Sequence, residues 1–458
     1  MALPARFPIN WTPVHAFRVF SSFILLLALT GQTPPAARPP IVFVQMPATP
    51  GLPPGEQGRL VLLTPSGALR PLAPGFHSAA DPAVSWDATR ILFAAKRTAA
   101  GPWQIYETGR DGRNLRQVVK TPWDCRSPIY QSRIFYLDDP EPQPQITFTG
   151  YESGAVPQLY SARLDGSGLR RLTYHPAGAA TATLNEDGRL LYSARFEKSS
   201  LLYGINLDGT DVERFSGAPG RAFRSMPAYA PSRHIVFVEN DQPEWDSSGS
   251  LATVDLRRHR HTYRALTLPS DGLYAWPSAL SSGAILAARR LPNQTHGLYR
   301  IDPATGQATL LYDDPQRHDI QPRELAPRPV PPGRASVVEE SASTGKIYCL
   351  SAFTTAEPMP KPARVRFVAY PGERVLGEAP LEADGSFHVE APANTPLRVE
   401  ALDAAGKLLR SSNWFWVKNK ENRGCIGCHE DPELTPENRF ATALGKPATP
   451  LTHNKSAP

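Results

Sequence analysis

The stretch Leu190–Ser216, LLYSARFEKSSLLYGINLDGTDVERFS, holds one repeating unit of this chain in full. An apolar strand is followed by a second strand rich in Leu, Tyr and Ile, then a turn on Asp208-Gly209 and a short third strand. Gly takes positive φ without steric cost and Asp can bond its own backbone, so Asp-Gly closes a tight hairpin. The preceding copy, QITFTGYESGAVPQLYSARLDGSGLRRLT, runs from Gln145 to Thr173. Equivalent turns fall at Ser66-Gly67, Asp111-Gly112 and Asp165-Gly166, and in degenerate form near Asp255 and at Asp302. The steps of 45, 54, 43, 47 and 47 residues between them make six units. A period of that size with three or four strands per unit predicts a six-bladed β-propeller, in which each blade buries its faces against its neighbours. Ile41-Val42-Phe43-Val44 matches Ile235-Val236-Phe237-Val238, so the start of the chain is expected to share a blade with the end of the repeat region and close the ring without an open edge.

At 458 residues two or three domains are expected unless repeats absorb the length. The 49 Pro and 33 Gly, beside 41% hydrophobic residues, describe many short strands joined by turns, with few helices. The blade pattern stops after Tyr312, and Arg323–Arg334 (RELAPRPVPPGR) is an extended Pro-rich linker. Short strands resume at Lys346–Leu350, Val365–Ala369, Phe387–Glu390, Leu397–Ala401 and Asn413–Val417, which reads as a small β-sandwich followed by an irregular tail. The expected layout is an all-β chain with a leader over 1–38, a propeller over 39–325, a linker over 326–336 and a sandwich with its tail over 337–458. Arg6 and Arg18 precede the apolar run Val19–Leu29, the order of a secretory signal, with an uncleaved N-terminal anchor as the alternative. A periplasmic or otherwise exported location is expected. The net charge of +6 comes from scattered Arg without a basic stripe, which excludes a nucleic-acid footprint.

Of the four cysteines, two lie in Cys425-Ile426-Gly427-Cys428-His429. Two thiols three residues apart can each bond a vinyl group of one porphyrin, and the histidine after the second lies under the iron as an axial ligand. The motif therefore predicts one covalent haem c on Cys425 and Cys428, with His429 on the iron. The alternatives are a Cys425–Cys428 disulfide, or half of a zinc site completed by His429 and a thiol such as Cys349. The tail after His429 is rich in Pro and too short to wrap a haem in helices, so the haem would pack on the sandwich, where Trp414, Phe415 and Trp416 are candidates to cover a porphyrin face or to serve as ordinary core. No Met follows Met359; His388, Lys446 and His453 are the candidate sixth ligands. Cys125 and Cys349 read as either an interdomain bridge or two buried thiols.

The order of propeller, Pro-rich linker, LEADGSFHVEAPANTPLRVEALDAAG from Leu381, NRGCIGCHED from Asn422 and PENRFATALGKPATPL from Pro436 resembles the hydrazine synthase alpha subunit family. The resemblance runs from about residue 40 to 452, and Cys425, Cys428 and His429 match the family's first haem motif. It implies a haem-binding middle domain and an oxidoreductase subunit that works with protein partners. The family's enzyme subunit carries a second such motif in a further haem domain, whereas this sequence has one, so hydrazine synthesis by this chain alone is not expected. Two functions compete: an exported redox haem protein, performing electron transfer or small-ligand chemistry in a complex, and a TolB-like propeller that binds a partner at its rim, with a structural haem or metal. Trp86, Trp103, Trp123 and Trp245 are candidates for such a rim or for blade core. A hydrolase is excluded by the lack of a Gly-x-Ser-x-Gly elbow.

Overall fold

Alternating apolar strands and turns fold in this chain into repeated antiparallel meanders, because a strand buried on both faces needs a sheet on either side. A computed structural model describes residues 39–136, 139–196, 198–215, 219–230, 232–242, 244, 246–355, 358–427, 433 and 439–451. Blade I joins Arg317–Glu324 to Ile41–Pro47, Arg59–Leu63 and Leu69–Pro71. Blades II to VI follow as Ser78 to Val119, Asp124 to Arg171, Ala179 to Arg214, Phe223 to Ala265 and Leu273 to Tyr312. The innermost strands, Ser78–Val84, Asp124–Tyr130, Ala179–Leu184, Phe223–Ala230, Leu273–Ala279 and Arg317–Glu324, touch one another in a closed ring of six. The expected sharing of a blade between the two ends of the repeat region is met by Ile41–Pro47 pairing antiparallel with Arg317–Glu324. Among the described residues the only helical segments are two short 3-10 turns, and none is long and apolar enough to cross a membrane.

Each innermost strand contains a β-bulge, and at each bulge one residue takes positive φ: Asp81, Ser127, Thr181, Met226, Trp276 and Gln321, all between 51° and 56°. In five of the six the next residue is Pro, which cannot donate to the ladder and is at home in a bulge. The bulge residues join neighbouring blades. Gln321 Nε2 donates to Asp81 Oδ1 at 2.6 Å, and Asp81 Oδ2 accepts from Arg126 Nε at 2.6 Å and from the Ser127 amide at 2.9 Å. On the opposite side the Trp276 amide lies 3.2 Å from Met226 Sδ. The Asp-Gly turns also serve the ring. A Cβ at Gly166 would stand 2.3 Å from the Val118 carbonyl, and one at Gly209 2.4 Å from that of Leu172, so each glycine lets its hairpin rest on the preceding blade.

Trp103 is buried between blades under the Arg126 guanidinium, and Trp123 stacks on Phe148 and Tyr160. Trp86 is partly buried against two inter-blade clusters. These three are blade packing rather than a free rim; Trp245 lies outside the described residues. Cys125 is a buried thiol 3.3 Å from Thr121 Oγ1, pushed up to about 12 by burial, and it is not bridged to Cys349.

The linker crosses one face of the propeller. The Arg328 amide donates to the Trp86 carbonyl at 2.8 Å, Ser132 Oγ to that of Pro331 at 2.6 Å, and the Ser336 amide to that of Phe135 at 2.7 Å. Beyond it two four-stranded sheets pack face to face. One has the order Asn422–Cys425, Thr344–Cys349, Phe387–Pro392, Thr449–Pro450; the other has Arg374–Pro380, Arg364–Ala369, Leu397–Leu402, Leu408–Ser411. Ile347, Phe367, Phe387, Val389 and Leu397 fill the space between them. The sequence reading lacked the strands Arg374–Pro380 and Leu408–Ser411, and two further details depart from it. Asn413–Val417 is not a full strand but a single bridge of Phe415 to Leu397, because Trp416 leaves the sandwich for blade IV. The tail also supplies strands at Asn422–Cys425 and Thr449–Pro450 to one sheet.

Candidate functional site

The segment that delivers the thiol motif is fixed from both sides. On the sandwich, Asn422–Cys425 runs parallel to Thr344–Cys349 with Cys425 in register with Cys349. The Leu350 amide donates to the Cys425 carbonyl at 2.9 Å, and the Ser351 amide to that of Ile426 at 3.3 Å. The glycines around Cys425 permit this approach: a Cβ on Gly424 would stand 2.6 Å from the Tyr348 hydroxyl, and one on Gly427 2.3 Å from the Thr354 carbonyl. Cys425 is half-buried and packs at the margin of the sandwich core that holds Cys349. Cys428 and His429 lie outside the described residues.

On the propeller side, blade IV receives the same segment. Trp416 is 1% exposed and donates Nε1–H to the Gly209 carbonyl at 3.0 Å. Arg423 donates to the Val212 carbonyl and lies 5.2 Å over the Phe415 ring. The buried Glu421 carboxylate takes the Asp211 amide at 2.8 Å and the Lys418 amide at 2.7 Å. Lys418 Nζ donates to the Arg171 carbonyl at 3.0 Å, and burial lowers its pKa to about 8. Asp208, a turn former by sequence, also accepts Ser336 Oγ at 2.7 Å and so ties the linker to this turn.

Just past the motif, Glu433 docks on the outer hairpin of blade V. Its Oε1 accepts the Arg260 amide at 2.7 Å, and both oxygens lie 3.8 Å from an imidazole nitrogen, Nδ1 of His259 and Nε2 of His261. His259 stacks on Phe215 at 4.0 Å, and its Nδ1 lies 2.5 Å from the Phe215 carbonyl. A carbonyl only accepts, so Nδ1 carries the proton and Nε2 the lone pair. Burial lowers the His259 pKa and keeps the ring neutral. These two histidines were missed in the sequence. The available signal was the run Arg257-Arg258-His259-Arg260-His261, standing where other blades have Asp-Gly.

Of the candidate sixth ligands, His388 and Lys446 are neighbours on the sandwich. His388 Nδ1 lies 3.4 Å from the Lys446 carbonyl, Lys446 is paired with Glu382 at 2.6 Å, and His453 is outside the described residues. Among the described residues no three His, Cys, Asp or Glu side chains are grouped to hold a metal ion. The three upstream aromatics are also separated: Trp414 lines a cleft of about 510 Å³ with Tyr203 and Arg398, Phe415 enters the sandwich core, and Trp416 enters blade IV.

Residues 354–430 match the family described as the hydrazine synthase alpha subunit middle domain. The hydrazine synthase subunit alpha of Kuenenia stuttgartiensis is 26% identical over 333 residues, covering 58% of this chain and 41% of that protein. This chain thus matches less than half the length of that relative. The solved hydrazine synthase of Kuenenia stuttgartiensis superposes with a TM-score of 0.76 at 22% identity, over 89% of this chain and 71% of that one. TolB from Acinetobacter baumannii gives a TM-score of 0.47 at 17% identity, over 62% of this chain and 66% of that one. The middle-domain match over residues 354–430 and the shared fold make this chain similar to hydrazine synthase alpha subunits.

Proposed function

We propose that this chain is an exported c-type haem protein that works in electron transfer or small-ligand redox chemistry within a protein complex. The observation that carries the reading is the placement of Cys425 at the end of a strand anchored to both domains, with accessible surface left on the thiol residue. The donor set suits the group: two thiols for covalent attachment, then an imidazole for the iron, with Cys425, Cys428 and His429 as the holding residues. A bound haem c supplies one-electron exchange and an iron able to take a small ligand. The protein contributes a rigid cradle. Gly424 and Gly427 let the backbone approach the sandwich closely, Arg423 and Trp416 hold it against blade IV, and Glu433 lays the following segment on His259 and His261.

Expressed with haem-attachment machinery, the protein should give a c-type α-band in a pyridine haemochrome assay at one haem per chain, and the Cys425→Ala/Cys428→Ala variant should give none. A colourless wild-type protein would leave a propeller scaffold and reassign the three motif residues to a disulfide or zinc. Glu433 follows His429 by four residues, so its dock at the neutral His259 is proposed to position the motif segment. His259→Ala should therefore keep the haem attached and shift its absorption spectrum, and an unchanged spectrum would assign His259 to packing alone.

A further inference from the structure

Two arginines on the propeller axis have no counter-charge of their own among the described residues. Arg323, two residues beyond the bulge of the closing strand, donates Nη1–H only to carbonyls, that of Pro322 at 2.9 Å and that of Trp276 at 3.4 Å. Arg328, on the linker, donates to the carbonyl of Val84 at 2.6 Å and lies 4.7 Å over the Trp86 ring. Val84 ends the innermost strand of blade II and Glu324 ends that of blade I, so both guanidinia stand at the same mouth of the ring. Neither forms an ion pair among the described residues.

The surroundings make this costly. Arg323 is partly exposed and Arg328 exposed, so the cost lies in holding two like charges together without a carboxylate between them. Burial, joined by repulsion from Arg328, lowers the Arg323 pKa to about 10. The carboxylate near Arg323 is Asp81, and it is already engaged by Arg126, Gln321 and the Ser127 amide. Yet both arginines keep accessible surface although protein encloses them, as side chains lining a water-filled mouth do. Solvent therefore reaches two guanidinium groups that the chain itself leaves unneutralised.

We infer that Arg323 and Arg328 form a binding site for a small oxyanion, a carboxylate or a phosphate, at the mouth of the propeller channel crossed by the linker. Guanidinium presents parallel N–H donors that match the two oxygens of either group, and the carbonyl-bound nitrogens fix the orientation of each fork. Arg328 belongs to the linker, so a bound anion would also fasten the linker to the ring. The site lies apart from the thiol motif and does not depend on a haem.

Equilibrium dialysis of the full chain against labelled inorganic phosphate, and separately against labelled acetate, at constant ionic strength in chloride tests this. Saturable uptake of one anion per chain is expected with half-saturation on the order of 1 mM or tighter for two charge-assisted contacts. Arg328→Gln should weaken uptake at least about tenfold and Arg328→Lys less, since it keeps the charge and loses the fork. Uptake of phosphate alone or acetate alone identifies which oxyanion the site takes. Absence of saturable uptake of both probes, or uptake undiminished in a folded Arg328→Gln protein, would overturn the assignment; should Arg328→Gln not fold, unchanged uptake in Arg328→Lys together with Arg323→Lys overturns it equally.

Discussion

Trp416→Ala is expected to lower stability by about 3–5 kcal/mol, the usual cost of removing a large aromatic from a packed interior. This indole is the main apolar peg between the domains. It stands against Tyr174 and His175 with ring centroids 5.9 Å and 5.0 Å away, joins the cluster that includes Leu172, Tyr192 and Tyr203, and donates to the Gly209 carbonyl. The loss should fall unevenly. The propeller retains its ring, whereas the sandwich keeps the partly buried Phe415 at the edge of that cluster and polar ties such as Glu421 to Asp211 and Lys418 to Arg171. Calorimetry of the variant should then resolve two transitions, against the single coupled one expected for the parent. Trp416→Phe should recover most of the packing and lose about 1 kcal/mol for the hydrogen bond. A single unshifted transition in Trp416→Ala would refute this account of the junction.

The second large effect concerns the closing blade. Asp246 from blade V is fully buried, with Oδ2 3.1 Å from Arg290 Nε and 2.9 Å from Nε2 of the equally buried His296, both on blade VI. His296 Nδ1 lies 3.0 Å from His318 Nδ1, at the start of the closing strand. Asp246→Ala removes the buried carboxylate that Arg290 and His296 share and leaves Arg290 its pair with Glu244 at 2.9 Å, so the expected cost is about 1–3 kcal/mol. Urea unfolding should read this as a lower midpoint. The same region sets the acid response. Burial lowers His318 to about 4 and, in blade III–IV packing, His175 to about 3, against an unfolded value near 6.5. Between about pH 4 and 6.5 the unfolded chain therefore binds more protons, and stability is lost as pH falls through that window. Asp246, held low by His296 and Ser248 against the opposing effect of burial, adds to the loss below about pH 4. Asp319 works in the other direction, since burial raises it to about 7 and its contribution is lost as pH rises from about 4 to 7. The histidines outnumber it, so Tm should fall on going from pH 7 to pH 5, and Asp319→Asn should steepen the fall. A flat profile would count against the buried-histidine account.

Much of the fold was readable because one physical pattern recurs. The Asp-Gly turns set the period, and Ile41–Val44 marked the shared blade. The axis of the ring had a signal that went unused: Pro82, Pro128, Pro227, Pro277 and Pro322 recur inside strands, where Pro is tolerated only at a bulge or an edge. The strand expected at Asn413–Val417 failed for a tertiary reason, because a Trp with a distant partner overrides local β propensity. At the candidate site, Cys425 was legible from spacing alone. His259, His261 and Glu433 were not, since they are separated by more than 170 residues in sequence and meet only once blade V and the tail are packed. The Arg323 and Arg328 pair was hidden inside a linker whose Pro content drew attention to extension rather than charge.

The way blade I is assembled also orders events during synthesis. Its three outer strands end at Pro71, but the strand that lines the axis spans Arg317–Glu324, so the first blade to leave the ribosome is the last to be finished. Until some 245 intervening residues have been made, the strand Ile41–Pro47 presents an unsatisfied inner edge, the kind that pairs with other chains. Joining ends so far apart carries a large loop-closure penalty and makes ring completion a late, slow step. The thiol motif is made later still, about 100 residues further on, so its cradle on blade IV is complete only after the nascent chain has shut its ring.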